Sequence, residues 1–400
     1  MTESIVLAFS GGLDTSFCIP WLVERHGARV VALTVDTGGL DDAARQALRE
    51  RALGLGASEF LLVDAREAFF HETLRFLLMG NVLRGHLYPL CVGAERGLQA
   101  RIVAENARRL GAKAVAHGCT AAGNDQVRFE VALRTLAPEV EILAPIRDEG
   151  LSREDEARYL QGLGFPMDLD RAAYSINRGL WGVTIGGRET TGTVQSIPEH
   201  AWVLTRGAFD APRPPARHVI AFERGVPKAL DGIELAPPVL IERLQEIASR
   251  FGIGRGIHLG DTILGTKGRV AFEAPAAHVL IAAHRELEKL TLTGRQQRLK
   301  DVVATLYGDW IHEGQLLEPC CRDAEALFLS SQERVTGEAS VLLRTGAAFV
   351  EGVTSPFSLA AASRAVYGEA ASEWTAQDAR GYSRMLALPG MLHARAAEAS

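Results

Sequence analysis

Seven residues near the start of the chain have the makings of an anion cradle: Ser10-Gly11-Gly12-Leu13-Asp14-Thr15-Ser16. Two adjacent glycines let the backbone approach a ligand closely and turn its N–H groups inward. The hydroxyls of Ser10, Thr15 and Ser16 add donors, and a helix starting near Thr15 adds the positive end of its dipole. Phosphate is the chemistry such a loop suits. The segment lacks a Gly-Lys-Ser/Thr ending, so no lysine reaches a terminal phosphate, and it lacks the G-x-G-x-x-G spacing of a dinucleotide loop. Asp14 would repel phosphate unless a cation, a backbone donor or the helix end compensates. The plainer alternative is a tight strand-to-helix turn capped by Asp14, with no ligand.

Two further segments carry polar side chains at suggestive places. Val35-Asp36-Thr37-Gly38 ends an apolar run, where a loop would overhang the same sheet edge and reach a base or a sugar; a simple β-to-α turn explains it equally well. Asn124, Asp125 and Arg128 form a polar cluster, which alone fits a plain turn with an internal ion pair.

The elements that must position these residues follow from periodicity. Residues 5–9, 30–35, 60–63, 114–117 and 142–144 are short apolar runs. Between them, residues 43–53 and 98–110 repeat apolar positions near a helical period. Strand, helix, strand at this spacing implies crossovers and a parallel sheet whose strands are buried on both faces. Ligands then sit at the carboxyl ends of the strands. Residues 152–163 read as a helix opened by Ser152-Arg153-Glu154-Asp155, a capping-box pattern. Pro20 removes an N–H from the second turn of the first helix, and a short kink is expected there.

After residue 166 the texture changes. Residues 175–195 are rich in Gly and Thr, and residues 210–215 hold three prolines. From 217 on, β-like runs (218–222, 340–343, 348–350) mix with helices (238–250, 279–290, 294–307). The expected fold class is α/β: a doubly wound, mostly parallel sheet over residues 1–167, a second mixed α+β domain over 168–365, and an Ala-rich C-terminal arm over 366–400.

The chain has 400 residues, 47% apolar and 23% charged, long enough for two cores. Its net charge of −6 argues against a broad nucleic-acid surface. The five cysteines show no C-x-x-C spacing, so neither a zinc site nor a disulfide framework is expected. Neither a signal peptide nor a membrane span of about 20 apolar residues is present, which reads as a cytoplasmic protein without a membrane partner.

Residues 8–16 resemble the pyrophosphatase loop of the N-type ATP pyrophosphatases, and most closely that of the argininosuccinate synthase family. Residues 117–130 (His117-Gly118-Cys119-Thr120 through Gly123-Asn124-Asp125-Gln126-Val127-Arg128-Phe129-Glu130) resemble that family's second signature. Tyr174-Ser175-Ile176-Asn177 with Leu180-Trp181-Gly182 resembles its substrate-loop segment, and Ala282-Ala283-His284-Arg285 and Arg334-Val335-Thr336-Gly337 resemble its second domain. The resemblance runs from about residue 4 to about residue 390.

It implies an adenine-nucleotide alpha-hydrolase type of fold and a ligase. The ureido oxygen of citrulline attacks the α-phosphate of ATP, pyrophosphate leaves, and the amine of aspartate then displaces AMP. It implies ATP with Mg²⁺, small-molecule partners only, and a homotetramer. Residue by residue, Ala8, Phe9, Ser10, Gly11, Gly12, Leu13, Asp14, Thr15 and Ser16 would hold ATP, with Thr34 and Gly118 near the nucleotide and Ser10 and Asp14 at the chemistry. Thr120, Asn124, Asp125 and Arg96 would serve aspartate. Tyr88, Asn124, Arg128, Ser175 and Thr184 would serve citrulline.

Several departures from the family pattern fall in one place: the residue at 92 would serve aspartate and the residue at 93 citrulline. Val92 stands for a threonine, Gly93 for a serine, Thr184 for a serine, Ala122 for a lysine, Gly260 for a glutamate and Phe272 for a tyrosine. The missing glutamate would have paired with the α-amino group of citrulline. Asp261, one residue on, is the expected substitute. The alternatives are a relative joining aspartate to a different ureido, amide or carboxyl acceptor, a non-catalytic ATP-binding relative, and an RNA-modifying ATP pyrophosphatase; the acidic charge and the missing C-x-x-C disfavour the last.

Overall fold

A computed structural model describes residues 3–165, 174–363 and 373–398. The first five strands are β1 (Ser4–Ala8), β2 (Arg29–Asp36), β3 (Glu59–Asp64), β4 (Ala114–His117) and β5 (Glu141–Leu143). They form one parallel sheet in the order β3-β2-β1-β4-β5. The apolar runs expected from sequence are these strands, displaced by one residue or so at each end. Both faces are covered: Val6, Val31, Leu33 and Val115 enter one buried cluster, and Ile5, Leu7, Val30 and Ala32 enter the other. Alternation along each strand sends successive side chains to opposite cores.

The helices behave as their sequences dictate. The helix Leu13–His26 follows the loop, continues through Pro20, and ends on Gly27 in the left-handed region. The helix Arg153–Gly162 carries the expected capping box: the Ser152 hydroxyl accepts the Asp155 N–H at 3.2 Å, and the Asp155 carboxylate accepts the Ser152 N–H at 3.2 Å.

Beyond residue 174 the chain builds two antiparallel sheets. Strands β6 (Ser175–Gly179) and β7 (Gly182–Gly186) form a hairpin, followed by β8 (Ala216–Glu223), β9 (Val226–Leu230) and β10 (Ile233–Glu234). A second hairpin pairs β11 (Arg255–Asp261) with β12 (Lys267–Glu273), and a third pairs β13 (Gly337–Arg344) with β14 (Ala347–Thr354). The sheet orders are β11-β12-β7-β6 and β10-β9-β8-β13-β14. The helices Pro237–Ser249, Pro275–Thr291, Gly294–His312 and Pro319–Ser331 complete this part. Glu273, fully buried at the end of β12, accepts the N–H groups of Val203, Leu204 and Thr205 and the Thr205 hydroxyl at 2.6–3.1 Å. Those donors stabilise an otherwise costly buried carboxylate.

Residues up to Ser355 form one body, and those from Pro356 form a second unit containing the helix Ala376–Glu398. The sequence-predicted boundaries at 167/168 and 365/366 lie outside the described residues. No described helix is long and apolar enough to cross a membrane.

Candidate active site

The carboxyl ends of β1, β2 and β4 open into a cavity of about 1390 Å³, whose opposite wall comes from the sheet β11-β12-β7-β6. A crevice at the switch point of the strand order is the position expected for a ligand in such a sheet.

The glycine loop is built as its composition requires. The Phe9 N–H donates to the Leu33 carbonyl at 2.9 Å, and the Thr34 hydroxyl donates to the Phe9 carbonyl at 2.8 Å, so β2 fixes the loop's first residue. Gly11 has φ +75, and a Cβ there would meet Leu48 Cδ2 at 2.2 Å. Gly12 caps the following helix with no side-chain hydrogen bond, which leaves the first-turn N–H groups without a capping side chain. The Ser10 N–H donates to the Thr15 hydroxyl at 3.3 Å, folding the loop over the helix start. Gly118, after β4, packs on that same turn: a Cβ there would stand 3.0 Å from the Thr15 backbone N. Asp14 lies in the first turn, beside Glu156 of the helix Arg153–Gly162. Burial, together with the Asp14 carboxylate, pushes the Glu156 carboxyl up to about 8.

The loop after β2 closes against the second sheet. The Gly38 N–H donates to Asp36 Oδ1 at 2.9 Å, and Arg45 Nε and Nη2 donate to Asp36 Oδ2 at 2.9 and 2.8 Å. The Leu180 N–H donates to the Thr37 carbonyl at 3.0 Å. Gly38, at φ +108, has Leu180 backbone 2.8 Å from where a Cβ would stand, so a side chain there would push the two sheets apart.

The centre of the cavity is a charged network. Arg96 Nε donates to Asp125 Oδ2 at 2.9 Å, Arg96 Nη1 to Glu95 Oε1 at 3.1 Å and to Gln99 Oε1 at 2.8 Å, and Arg96 Nη2 to Asn177 Oδ1 at 2.9 Å. Arg128 Nη1 donates to Asp125 Oδ1 at 2.8 Å, and Arg128 Nε to the His312 carbonyl at 2.8 Å. Burial would raise the Asp125 carboxyl, but the charges of Arg96 and Arg128 outweigh it and hold it at about 2. Glu95 behaves oppositely: burial lifts it to about 7 against the pull of Arg96 and of the Thr37 hydroxyl, which donates to it at 2.6 Å. Asn124 Oδ1 accepts the Ile263 N–H at 2.9 Å, tying the β11–β12 turn to the start of the helix Asn124–Leu136.

The far end of the cavity carries strain. Val92 has φ +66, and the Gly93 N–H donates to the Cys91 carbonyl at 2.8 Å, a γ-turn that a β-branched residue rarely adopts. The Tyr88 hydroxyl donates to the same carbonyl at 2.6 Å. Strain of this kind is held by surrounding structure and collects at functional sites. Phe272, fully buried, packs on Tyr88 with ring centroids 5.1 Å apart. Thr184 is the ladder partner of both Asn177 and Phe272.

Among the sequence-predicted residues, the cavity wall includes Ala8, Phe9, Ser10, Gly12, Leu13, Asp14 and Thr15 from the loop, with Thr34 and Gly118. It also includes Thr120, Asn124, Asp125, Arg96, Tyr88, Arg128, Ser175 and Thr184. Gly11 and Ser16 are not part of that wall; the Ser16 hydroxyl donates to the Gly11 carbonyl at 3.4 Å. Sequence reasoning did not assign Glu95, Gln99, Thr37, Asn177, Arg84, His258 or His312 to the site. Thr37 and Asn177 lay in segments already singled out; Glu95 and Gln99 flank Arg96, to which both bond, and Arg84, His258 and His312 carry no local signal, because their partners are distant in sequence. Asp261, the expected substitute for the glutamate, pairs instead with Lys267, its ladder partner.

A family model described as the arginosuccinate synthase N-terminal HUP domain matches residues 4–166, and one described as the arginosuccinate synthase C-terminal domain matches residues 174–393. Similar proteins named argininosuccinate synthase occur in several lineages. The one from Dehalococcoides mccartyi strain CBDB1 is 38% identical over 398 residues, covering 99% of this chain and 97% of its own. That from Methanocaldococcus jannaschii is 39% identical over 359 residues, 90% of each chain. That from Trichodesmium erythraeum is 38% identical over 387 residues, 96% of each.

Proposed function

We infer the reaction from a premise now in place: this chain belongs to the argininosuccinate synthase family. It is an ATP-dependent ligase of that type, adenylating the ureido oxygen of citrulline and condensing the product with aspartate to argininosuccinate. The observation that carries this reading is geometric. One cavity brings the uncapped N-terminus of the helix Leu13–His26 to the same space as the Arg96–Asp125–Arg128 network.

The proposed chemistry needs positioning and charge stabilisation more than covalent help. The ureido oxygen forms a bond to the α-phosphorus, and the bond to the bridging oxygen of pyrophosphate breaks. Negative charge builds on the departing pyrophosphate, and the loop 10–16 receives it with backbone N–H groups and the hydroxyls of Ser10 and Thr15. The amine of aspartate then attacks the ureido carbon and AMP leaves with the oxygen it gained. Asp125 faces the aspartate ammonium, with Thr120, Asn124 and Arg96 around it. Tyr88, Asn124, Arg128, Ser175 and Thr184 enclose the acceptor.

Mg²⁺ fits this site as a companion of the nucleotide. No described group of three or more His, Cys, Asp or Glu side chains is placed to hold a metal by itself, and Asp14 supplies the loop's one carboxylate oxygen pair. When bound, the ion neutralises charge on the polyphosphate. We extend the same reading to a cytoplasmic homotetramer acting on small molecules without nucleic acid, with a nucleotide domain over 1–167, a synthetase domain over 168–365 and an arm over 366–400.

The test is pyrophosphate release with ATP, Mg²⁺ and aspartate, with and without citrulline. Citrulline-dependent release with argininosuccinate detected by mass spectrometry is expected; no release with citrulline or with any ureido acid in its place would overturn the reading.

A further inference from the structure

Strand β11 alternates its side chains, so His258 and Gly260 share one face while Leu259 and Asp261 take the other. The family resemblance implies a glutamate at position 260, where this chain has Gly260. A Cβ at Gly260 would lie 2.5 Å from His258 Nε2 and 3.0 Å from Arg84 Nη1. The room a glutamate side chain would need is therefore filled by an imidazole and a guanidinium. Asp261 does not restore the acid: its carboxylate pairs with Lys267, and its backbone carbonyl accepts Arg84 Nη2 at 3.2 Å.

The groups around this point are donors. Arg84 Nη1 stands 3.4 Å from His258 Nε2, and the His258 ring stacks on Tyr88 with centroids 5.4 Å apart and planes 20° apart. Arg84 Nε has a 3.5 Å charge contact with Asp309, which lies outside the cavity wall and is half exposed, and no hydrogen bond. His312 Nδ1 stands 3.1 Å from Arg128 Nη2. A guanidinium only donates, so Nδ1 accepts and Nε2 bears the proton, turned toward the Asp261 backbone. Burial lowers His258 and His312, with the charge of Arg84 adding at the first and of Arg128 at the second, so both are neutral near pH 7. Asp125, the remaining acid on this part of the wall, is held by Arg96 and Arg128 and, in the reading above, serves the ammonium of aspartate rather than that of the acceptor.

An ammonium group placed here meets a guanidinium and no free carboxylate, which costs rather than contributes binding. A carboxylate meets the charge of the Arg84 guanidinium. We propose that Arg84, seated by His258, is a specificity-determining residue that binds the acceptor's carboxylate, and that this enzyme's acceptor is a ureido acid whose α-amino group is dispensable. This rests on the ligase reading above.

The direct comparison is citrulline against ureidopentanoate, its analogue without the α-amino group, measured as aspartate-dependent AMP and pyrophosphate formation by the unmodified enzyme. The expected result is a kcat/KM for ureidopentanoate at least equal to that for citrulline. Arg84→Gln should raise the KM for ureidopentanoate about ten-fold or more while leaving the KM for ATP unchanged, as loss of a charged hydrogen bond implies. Citrulline favoured about ten-fold or more, or an Arg84→Gln enzyme with unchanged acceptor KM, overturns the proposal and leaves the ligase reading standing. Turnover with neither acceptor contradicts both.

Discussion

Asp125 and Arg128 sit three residues apart on one helix and are joined by a 2.8 Å ion pair, while Arg96 reaches the other oxygen of the same carboxylate at 2.9 Å from a second helix. Two guanidiniums on one carboxylate leave its position fixed and its charge secure. Asp125→Asn keeps the shape and removes the charge. It should raise the KM for aspartate about ten-fold or more, as expected for losing a charged hydrogen-bond partner, and leave the KM for ATP within about two-fold. Steady-state kinetics with each substrate varied checks this.

Gly11 holds the loop through a conformation that a side chain resists. At φ +75, with Leu48 Cδ2 only 2.2 Å from a Cβ position, Gly11→Ala should lower stability by about 1–2 kcal/mol from the left-handed backbone alone. The KM for ATP should rise with it, because Ser10 and Gly12 move together with their neighbour. Thermal denaturation and ATP titration read the two effects separately.

Glu95 and Asp125 give opposite pH dependences. Glu95 titrates at about 7 in the fold, above its ordinary value of 4.5. Its protonated form is favoured on folding, so its contribution is fully present below about 4.5 and is lost as pH rises through about 7. Asp125 titrates at about 2, below its ordinary 3.8. Its contribution is present above about 3.8 and is lost as pH falls through about 2. Stability of Glu95→Gln relative to wild type should therefore increase between about pH 4.5 and 7. Denaturant melts across that range test it; a constant difference would remove Glu95 as a titrating group.

The parallel sheet was legible because its strands are built on short apolar runs, buried on both faces in the central β1, β2 and β4, separated by helical periods. The loop was legible because a glycine pair between strand and helix has few other uses. The hairpin β11–β12 was not legible. His258, Gly260, Gly268 and Arg269 break any apolar alternation, and the strands are specified by pairing, β12 with β7 and β11 with β12, rather than by their own composition. The network around Arg96 was hidden for a related reason: Thr37 and Glu95 are 58 residues apart, and Arg96 and Asn177 are 81 apart. Asp261 was misread because one residue along a strand reverses the face. A neighbour in sequence is not a substitute in space when the element is extended.

In the proposed reaction the ureido oxygen attacks the α-phosphate of an ATP whose pyrophosphate lies in the loop 10–16. Acceptor labelled with heavy oxygen in its ureido group tests it most directly, with AMP analysed by mass spectrometry and Asp14→Asn as the control. The prediction is one labelled oxygen in each AMP formed, pyrophosphate in equal amount, and turnover lowered about 100-fold or more in the folded Asp14→Asn protein. AMP without label, ADP in place of AMP, or normal turnover by Asp14→Asn would contradict it.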